Sequence, residues 1–425
     1  MKIGIIGAGF GGLAAAYQLA KAGNSVVVLE AGKLPGGLAV GFKEKKWEWS
    51  LEKHYHHWFT NDEAVLGLAK EIGHEVLIKR PKTSTFSGDK IYQLDSPLNL
   101  LTFDQLKLPD RIRTGMILGY LKYLANWKNL EKVTAKEFLF KTMGKSPWST
   151  LWEPLFVKKF GSYVDKISAA WFWARIKKRT PSLAYPAGGF LAFSEHLAYE
   201  IRRYKGKIYY SSPVRRIEKK GNKIEVKTLK SKYLFDSVIC TLPSYVFLKV
   251  TKSLPQEYIE NLLKAESLGA VNLLLSLKHK FFEDNTYWLN VNKKHFPFVA
   301  IVEHTNFMDR KYYNNEHLLY VGNYLPQNHP YFQKNEVQLL AEFYPFLKTI
   351  NPKFDKSWIN DAFAFKDFYA QPVIPINYSE MIPSFKTPLP GVFLSNMQQV
   401  YPWDRGTNYA IENGEKVAEM VLKSQ

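Results

Sequence analysis

Three histidines fall within four positions, His54, His56 and His57, in the stretch WSLEKHYHHWFT, although the chain of 425 residues has only 10. Imidazoles at this density suit two kinds of chemistry, ligation of a transition metal and proton transfer near neutral pH. On an extended segment His54 and His56 face one way, and Tyr55 and His57 the other. A His-x-His pair holds zinc, copper or iron only with a third and usually a fourth ligand. Glu52 shares its face, but no neighbouring residue completes a ligand motif. Three readings stand open: a metal centre, a wall against something bound, or plain packing. The expectation taken forward is a cavity wall without metal, with His56 and His57 as candidate catalytic residues.

A second stretch lies at the N-terminus. KIGIIG is a short apolar run of strand type, GAGFGG follows it, LAAAYQLAKAG has helical character, and NSVVVLE is a second buried strand ending at Glu30. Strand, glycine turn, helix, strand and acid together make a dinucleotide-binding unit. Gly7 permits the tight turn, Gly9 lets the backbone approach a diphosphate, and Gly12 lets the helix pack close to the strand. The helix N-terminus offers free N–H groups and a partial positive charge to the same diphosphate. Glu30, 21 residues after Gly9, is placed to accept hydrogen bonds from a ribose diol and to repel a 2′-phosphate.

After Glu30 comes AGKLPGGLAVGF, whose glycine pair Gly36–Gly37 a plain NAD site does not need. Four further blocks follow in order: YPAGGFLAFSEHLAYEI (185–201), KIYYSSPVRRIEKKGNKIEVKT (207–228), FDSVICTLP (235–243) and LPGVFLSNMQQVYPWDRGTNYAIENGEKVAEMV (389–421). Together with the N-terminal unit they resemble the superfamily of flavin-containing amine oxidases, protoporphyrinogen oxidases and phytoene desaturases. The resemblance implies an α/β fold, with a Rossmann-like FAD-binding domain of the glutathione-reductase type, a mixed α+β substrate domain and a helical subdomain. The FAD domain is expected to be discontinuous, from 1–80, 183–248 and 386–425. Residues 81–182 are expected to be the helical part of the substrate domain and 249–385 its sheet-bearing part.

The resemblance also implies noncovalent FAD, held by Gly7, Ala8, Gly9, Phe10, Gly11, Gly12, Glu30, Ala31, Gly36, Gly37, Leu38, Val214, Met397, Arg405, Gly406 and Asn408. Many relatives carry a basic residue after the glycine pair; this chain has Leu38, so that role is not transferred. The histidine segment corresponds to the piece that runs along the flavin into the substrate cavity, which makes His56 the expected flavin neighbour. More faintly, it resembles a stretch of UDP-galactopyranose mutases, so a non-redox reaction on a nucleotide sugar is the alternative. The block YPWDRGTNYAIENG is more oxidase-like than mutase-like. The activity implied is FAD-dependent oxidation of a C–N or C–C bond in a small apolar or lipid-like substrate.

Composition narrows the partners. Lys and Arg exceed Asp and Glu by 58 to 39, a formal charge of +19, which favours anionic partners. No zinc-finger spacing, aromatic nucleic-acid signature or basic tail accompanies it, so no nucleic-acid partner is expected. In GMILGYLKYLANWKN, Ile117, Tyr120, Leu121 and Leu124 fall at helical spacing and make one apolar stripe. The Trp- and Phe-rich segments 141–161 and 167–180, beside Lys and Arg, fit core packing or a surface facing a lipid-linked substrate. One cysteine, Cys240, precludes an intrachain disulfide and fits a reducing compartment. No apolar run reaches the roughly 20 residues of a membrane span. The expectation is a cytoplasmic protein with peripheral contact at the inner membrane face.

Overall fold

The computed structural model describes residues 1–424. Strand β1 (Lys2–Ile6), helix α1 (Phe10–Lys21) and strand β2 (Ser25–Leu29) form the N-terminal unit. Three short strands join them, β3 (Lys207–Tyr209), β4 (Ser237–Cys240) and β5 (Val392–Leu394). The sheet order is β3-β2-β1-β4-β5, and every pairing is parallel. Both faces are covered: Ile3, Ile5, Val26 and Val28 pack toward α1, while Ile6, Val27, Leu29 and Cys240 enter a core on the opposite side. That two-sided burial explains why these strands read as unbroken apolar runs rather than alternating ones. Cys240 is fully buried, and burial pushes its thiol up to about 12.

A seven-stranded sheet forms the second layer, in the order 359–372, 267–277, 317–325, 300–303, 286–291, 82–87 and 90–93. All its pairings are antiparallel except that of 286–291 with 82–87. The helix Glu336–Ile350 covers one face through Leu339, Phe343 and Leu347. Strands Lys82–Ser87 and Lys90–Gln93 correct the expectation that residues 81–182 are helical. Their buried polar positions, Ser84, Thr85 and Ser87, leave no apolar alternation to read.

From Pro97 onward this segment is helical. Its main members are α2 (Leu108–Tyr123), α3 (Glu153–Phe160) and α4 (Ala169–Lys178). The apolar stripe read over α2 is divided between core and solvent. Leu121 is buried, but Tyr120 and Leu124 are exposed, because this helix has solvent on more than half of its circumference. The chain closes with α5 (Thr407–Leu422), which buries Val417, Ala418 and Val421 and lies along α1. No helix among the described residues is long and apolar enough to cross a membrane.

Candidate functional site

The glycine turn between β1 and α1 does two separable jobs. Gly7 has φ +103°, and a Cβ there would stand 2.5 Å from Thr241 Oγ1. A Cβ on Gly12 would stand 2.1 Å from the Gly7 carbonyl oxygen, so both glycines are demanded by packing. Gly9 is different. Its φ is −70°, and an added Cβ would meet only Gly37 Cα at 3.6 Å. Nothing in the chain fills the space that Gly9 leaves. Gly9 pairs with Gly36 in a parallel bridge, and the Gly36 N–H donates to the Ala8 carbonyl at 2.9 Å. The two glycine-rich turns thus form one side-chain-free floor at the uncapped N-terminus of α1, the concave amide surface that a dinucleotide diphosphate requires.

Glu30 stands at one end of this floor. Its carboxylate accepts the Ala8 N–H and the Gly32 N–H, both at 2.6 Å. A carboxylate has about four acceptor positions, which leaves lone pairs for a ribose diol. The Ser212 N–H donates to the Glu30 carbonyl at 2.7 Å, two residues before Val214. Ala31 is exposed and Leu38 half-buried along the edge. Phe10 turns inward and stacks on Phe193 at 5.5 Å, so only its backbone remains for a ligand.

At the other end, α5 begins at Gly406 without a side-chain cap. A Cβ on Gly11 would stand 2.9 Å from the Ala410 carbonyl oxygen, and one on Gly414 would stand 2.2 Å from that of Gly11. The first turns of α1 and α5 are therefore adjacent, which brings two positive helix ends near each other. Gly406 has an extended φ of 175°, and an added Cβ would meet only Tyr409 at 3.8 Å. The fold itself does not require glycine there. The Asn408 side chain is committed elsewhere, accepting the Val65 N–H at 3.1 Å. Met397, Trp403, Asp404 and Arg405 close around a crevice beside this turn that is too tight for a water molecule.

The three histidines do not converge. His54 is buried between Asp367, at 2.9 Å from Nε2, and the Asn272 amide, at 2.6 Å from Nδ1. It fastens its segment to the seven-stranded sheet. His56 Nδ1 donates to the His54 carbonyl at 2.6 Å, and its ring packs 5.5 Å from Phe190, a neighbour of Phe10. His57 Nδ1 lies 3.1 Å from the Tyr287 hydroxyl. Burial pushes His56 and His57 down to about 3, so both rings are neutral at pH 7 and neither is a ready proton donor. Among the described residues no three His, Cys, Asp or Glu stand close enough together to hold a metal ion.

A cluster of which sequence reasoning picked out only Arg405 lies near His56 and His57. Asp404 and Arg405 are neighbours in the chain, yet each finds its partners in other elements. Asp404 takes Arg175 Nη1 at 2.6 Å and Trp171 Nε1 at 3.0 Å, both from α4. Arg405 donates to Gln371 Oε1 at 2.8 Å and to the Tyr324 hydroxyl. Lys159 of α3 sits over Tyr324 and Trp171, with Nζ 4.5 and 5.3 Å from the ring centres. Burial pushes the Asp404 carboxyl up, but Arg175, Lys159 and Arg405 outweigh it and hold the group at about 2. Burial and the nearby Arg175 push the Lys159 ammonium well below its usual range. The aromatic and basic residues of 141–180 were the visible signal; which of them met was not.

A five-stranded parallel sheet with two helix ends over a glycine floor defines a dinucleotide-dependent enzyme class. The profile of flavin containing amine oxidoreductases matches residues 10–422, and the chain belongs to that family of FAD-dependent oxidoreductases. Its similarity to amine oxidase [flavin-containing] B of Rattus norvegicus is 26% identity over 324 residues, 70% of this chain and 60% of the rat enzyme. Similarity to hydroxysqualene dehydroxylase of Zymomonas mobilis is 35% over 83 residues, 20% of each chain. The chain thus matches about 60% or less of the length of these curated relatives. Cyclohexylamine oxidase of Brevibacterium oxydans superposes with TM-score 0.76 at 14% identity, covering 100% of this chain and 99% of that one. Reduced UDP-galactopyranose mutase gives 0.77 at 15%, covering 100% and 96%. Likeness this distant establishes the fold, and it does not choose between the two reactions.

Proposed function

We propose that the protein is a FAD-dependent oxidoreductase that oxidises a C–N or C–C bond of an apolar or lipid-like substrate. The observation that carries this reading is the glycine floor at Gly9 and Gly36–Gly37, continuous with the paired N-termini of α1 and α5. FAD, when bound, supplies the two-electron acceptor chemistry. Gly7 to Gly12 and Gly36 to Leu38 would hold its diphosphate. Glu30, Ala31 and Val214 would hold its adenosine end, and Met397, Arg405, Gly406 and the Asn408 backbone would flank its ring. The N–H groups that open α5 would stabilise negative charge arriving near them. In this reading 1–80, 183–248 and 386–425 form the cofactor domain.

His56 and His57, both neutral, form a wall that orients substrate and excludes water rather than a charged acid–base pair. Aromatic rings from α4 and the last turn, Trp171, Trp173 and Trp403, give the facing wall an apolar lining. An apolar substrate also accords with the Zymomonas relative, whose name places a squalene derivative in its own site. The α2 surface would bring the enzyme to a membrane where such a substrate resides. The test is an anaerobic screen of amines, saturated terpenoids and nucleotide sugars against the purified yellow protein. Bleaching of the oxidised flavin band by an amine or terpenoid supports the proposal. Turnover of a nucleotide sugar only after dithionite reduction, with no reductant consumed, overturns it in favour of the mutase reaction.

A further inference from the structure

The cation cluster at the last turn is out of balance. Lys159, Arg175 and Arg405 surround a single carboxylate, Asp404, and Arg175 is the cation bonded to it. Arg405 bonds only to neutral acceptors, Gln371 and Tyr324. Lys159 Nζ has no hydrogen-bond acceptor or ion-pair partner among the described residues; its contacts are the aromatic faces of Tyr324, Trp171 and Phe160. Of the remaining nearby groups, Asp367, hydrogen-bonded to His54, adds one further carboxylate, His56 and His57 are neutral, and Tyr55 carries no charge, because burial and Tyr324 hold its hydroxyl protonated. Arg179, a short way along the chain from α4, adds another positive charge near His57.

Burial and Arg175 hold the Lys159 ammonium well below its usual range, the cost of a cation without a counter-charge, and an anionic ligand beside it would offset that cost. Aromatic faces soften the penalty and leave the ammonium's donors unused. A cluster built this way repels a protonated amine and attracts an anion. We propose that the substrate carries an anionic group, a phosphate or a carboxylate, which binds Lys159 and Arg405 beside the aromatic wall while its apolar body extends toward the flavin. This rests on the oxidoreductase reading for the place of the reacting bond, but not for the anion site itself. The proposal divides the site by charge: an anionic, amphiphilic molecule enters, and a simple cationic amine does not.

The experiment uses the FAD-loaded protein, in which the cofactor's own diphosphate already fills the glycine floor. Inorganic pyrophosphate, decyl phosphate, decanoate and decylamine are titrated while flavin absorbance and tryptophan fluorescence are followed, with calorimetry as a second readout. Binding of the phosphates or of decanoate, with decylamine at least tenfold weaker, is the expected result; the ratio of decyl phosphate to decanoate identifies the headgroup. Lys159→Met should keep its flavin, melt no lower than the parent, and bind the preferred anion at least tenfold more weakly. Added anion should raise the melting temperature of the parent and not that of Lys159→Met. Anion binding unchanged in Lys159→Met, no binding by any of the anions, or preferred binding of decylamine would overturn the proposal. Should the anions bind as described while no substrate ever bleaches the flavin, the anion site stands and the oxidoreductase reading falls.

Discussion

Gly414 of α5 lies directly against Gly11 of α1: a Cβ on Gly414 would stand 2.2 Å from the Gly11 carbonyl oxygen and 3.1 Å from its Cα. The two helices approach so closely because neither has a side chain at the crossing. This contact holds the two positive helix ends together over the glycine floor. Gly414→Ala must separate them, since the obstruction is backbone and cannot rotate away. The expected loss is about 1–3 kcal/mol of stability, together with reduced flavin occupancy. Chemical denaturation and the flavin-to-protein absorbance ratio measure both; a variant with parental values would show that the helices do not pack this way.

The glycines of the fingerprint should separate into structural and ligand-facing sets. Gly12→Ala collides with the Gly7 carbonyl and should give little folded protein. Gly9→Val has a permitted φ and room for Cβ, so the protein should fold with a near-parental circular dichroism spectrum and yet purify colourless. Gly406→Ala is allowed by the chain, so any drop in flavin affinity or shift of its absorption band reports the ligand alone. A yellow, fully loaded Gly9→Val protein would remove the diphosphate from this floor.

The fingerprint was legible because its chemistry is local: a turn, a helix end and an acid all lie within residues 7–30. The histidine segment stood out by its residue types, but its three separate roles did not, since those roles depend on Asp367, Asn272 and Tyr287, which lie more than 200 residues away. The same distance hid the Asp404–Arg175 pair. Asp404 and Arg405 are adjacent in the sequence, whereas geometry gives each a partner from another element. Gly406 is a glycine that its own extended backbone does not require, which only the three-dimensional fit shows. Strands 82–87 and 90–93 escaped because their buried positions are largely serine and threonine.

Acid should destabilise the fold partly through His304. This ring is fully enclosed, its Nε2 is 2.9 Å from the Tyr313 hydroxyl, and burial, assisted by Lys79, pushes it down to about 3. In the unfolded chain it takes up a proton below about pH 6.5, whereas in the folded chain it does so only near 3. Stability is therefore unaffected by this group above pH 6.5 and falls through the window from 6.5 to 3, by about 1.4 kcal/mol per pH unit. Urea denaturation at pH 7, 6 and 5 should show a slope smaller by about one proton in His304→Gln than in the parent. Superimposable slopes would mean that His304 is protonated inside the fold.

The α2 helix carries the final prediction. Leu108, Ile112, Met116 and Tyr120 are four residues apart and exposed by 56, 46, 63 and 42%. Leu124, exposed by 79%, continues the stripe, and Leu98 and Leu101 of the preceding short helix extend it. A helix face four apolar residues long, turned to solvent, is larger than a lone surface residue and calls for a covering surface. Exposed Lys107, Arg113 and Lys128 lie nearby on a chain of net charge +19, so the surface that complements both features is a bilayer with anionic headgroups. The protein should co-sediment with vesicles containing anionic lipid, more weakly in high salt, and Met116→Glu should lower that affinity at least fivefold. Because the side chain is exposed, the same change should leave flavin content and melting temperature as they were. If Met116→Glu instead splits a dimer seen by sedimentation velocity and the parent ignores vesicles, the stripe belongs to a second copy of the chain and not to a membrane.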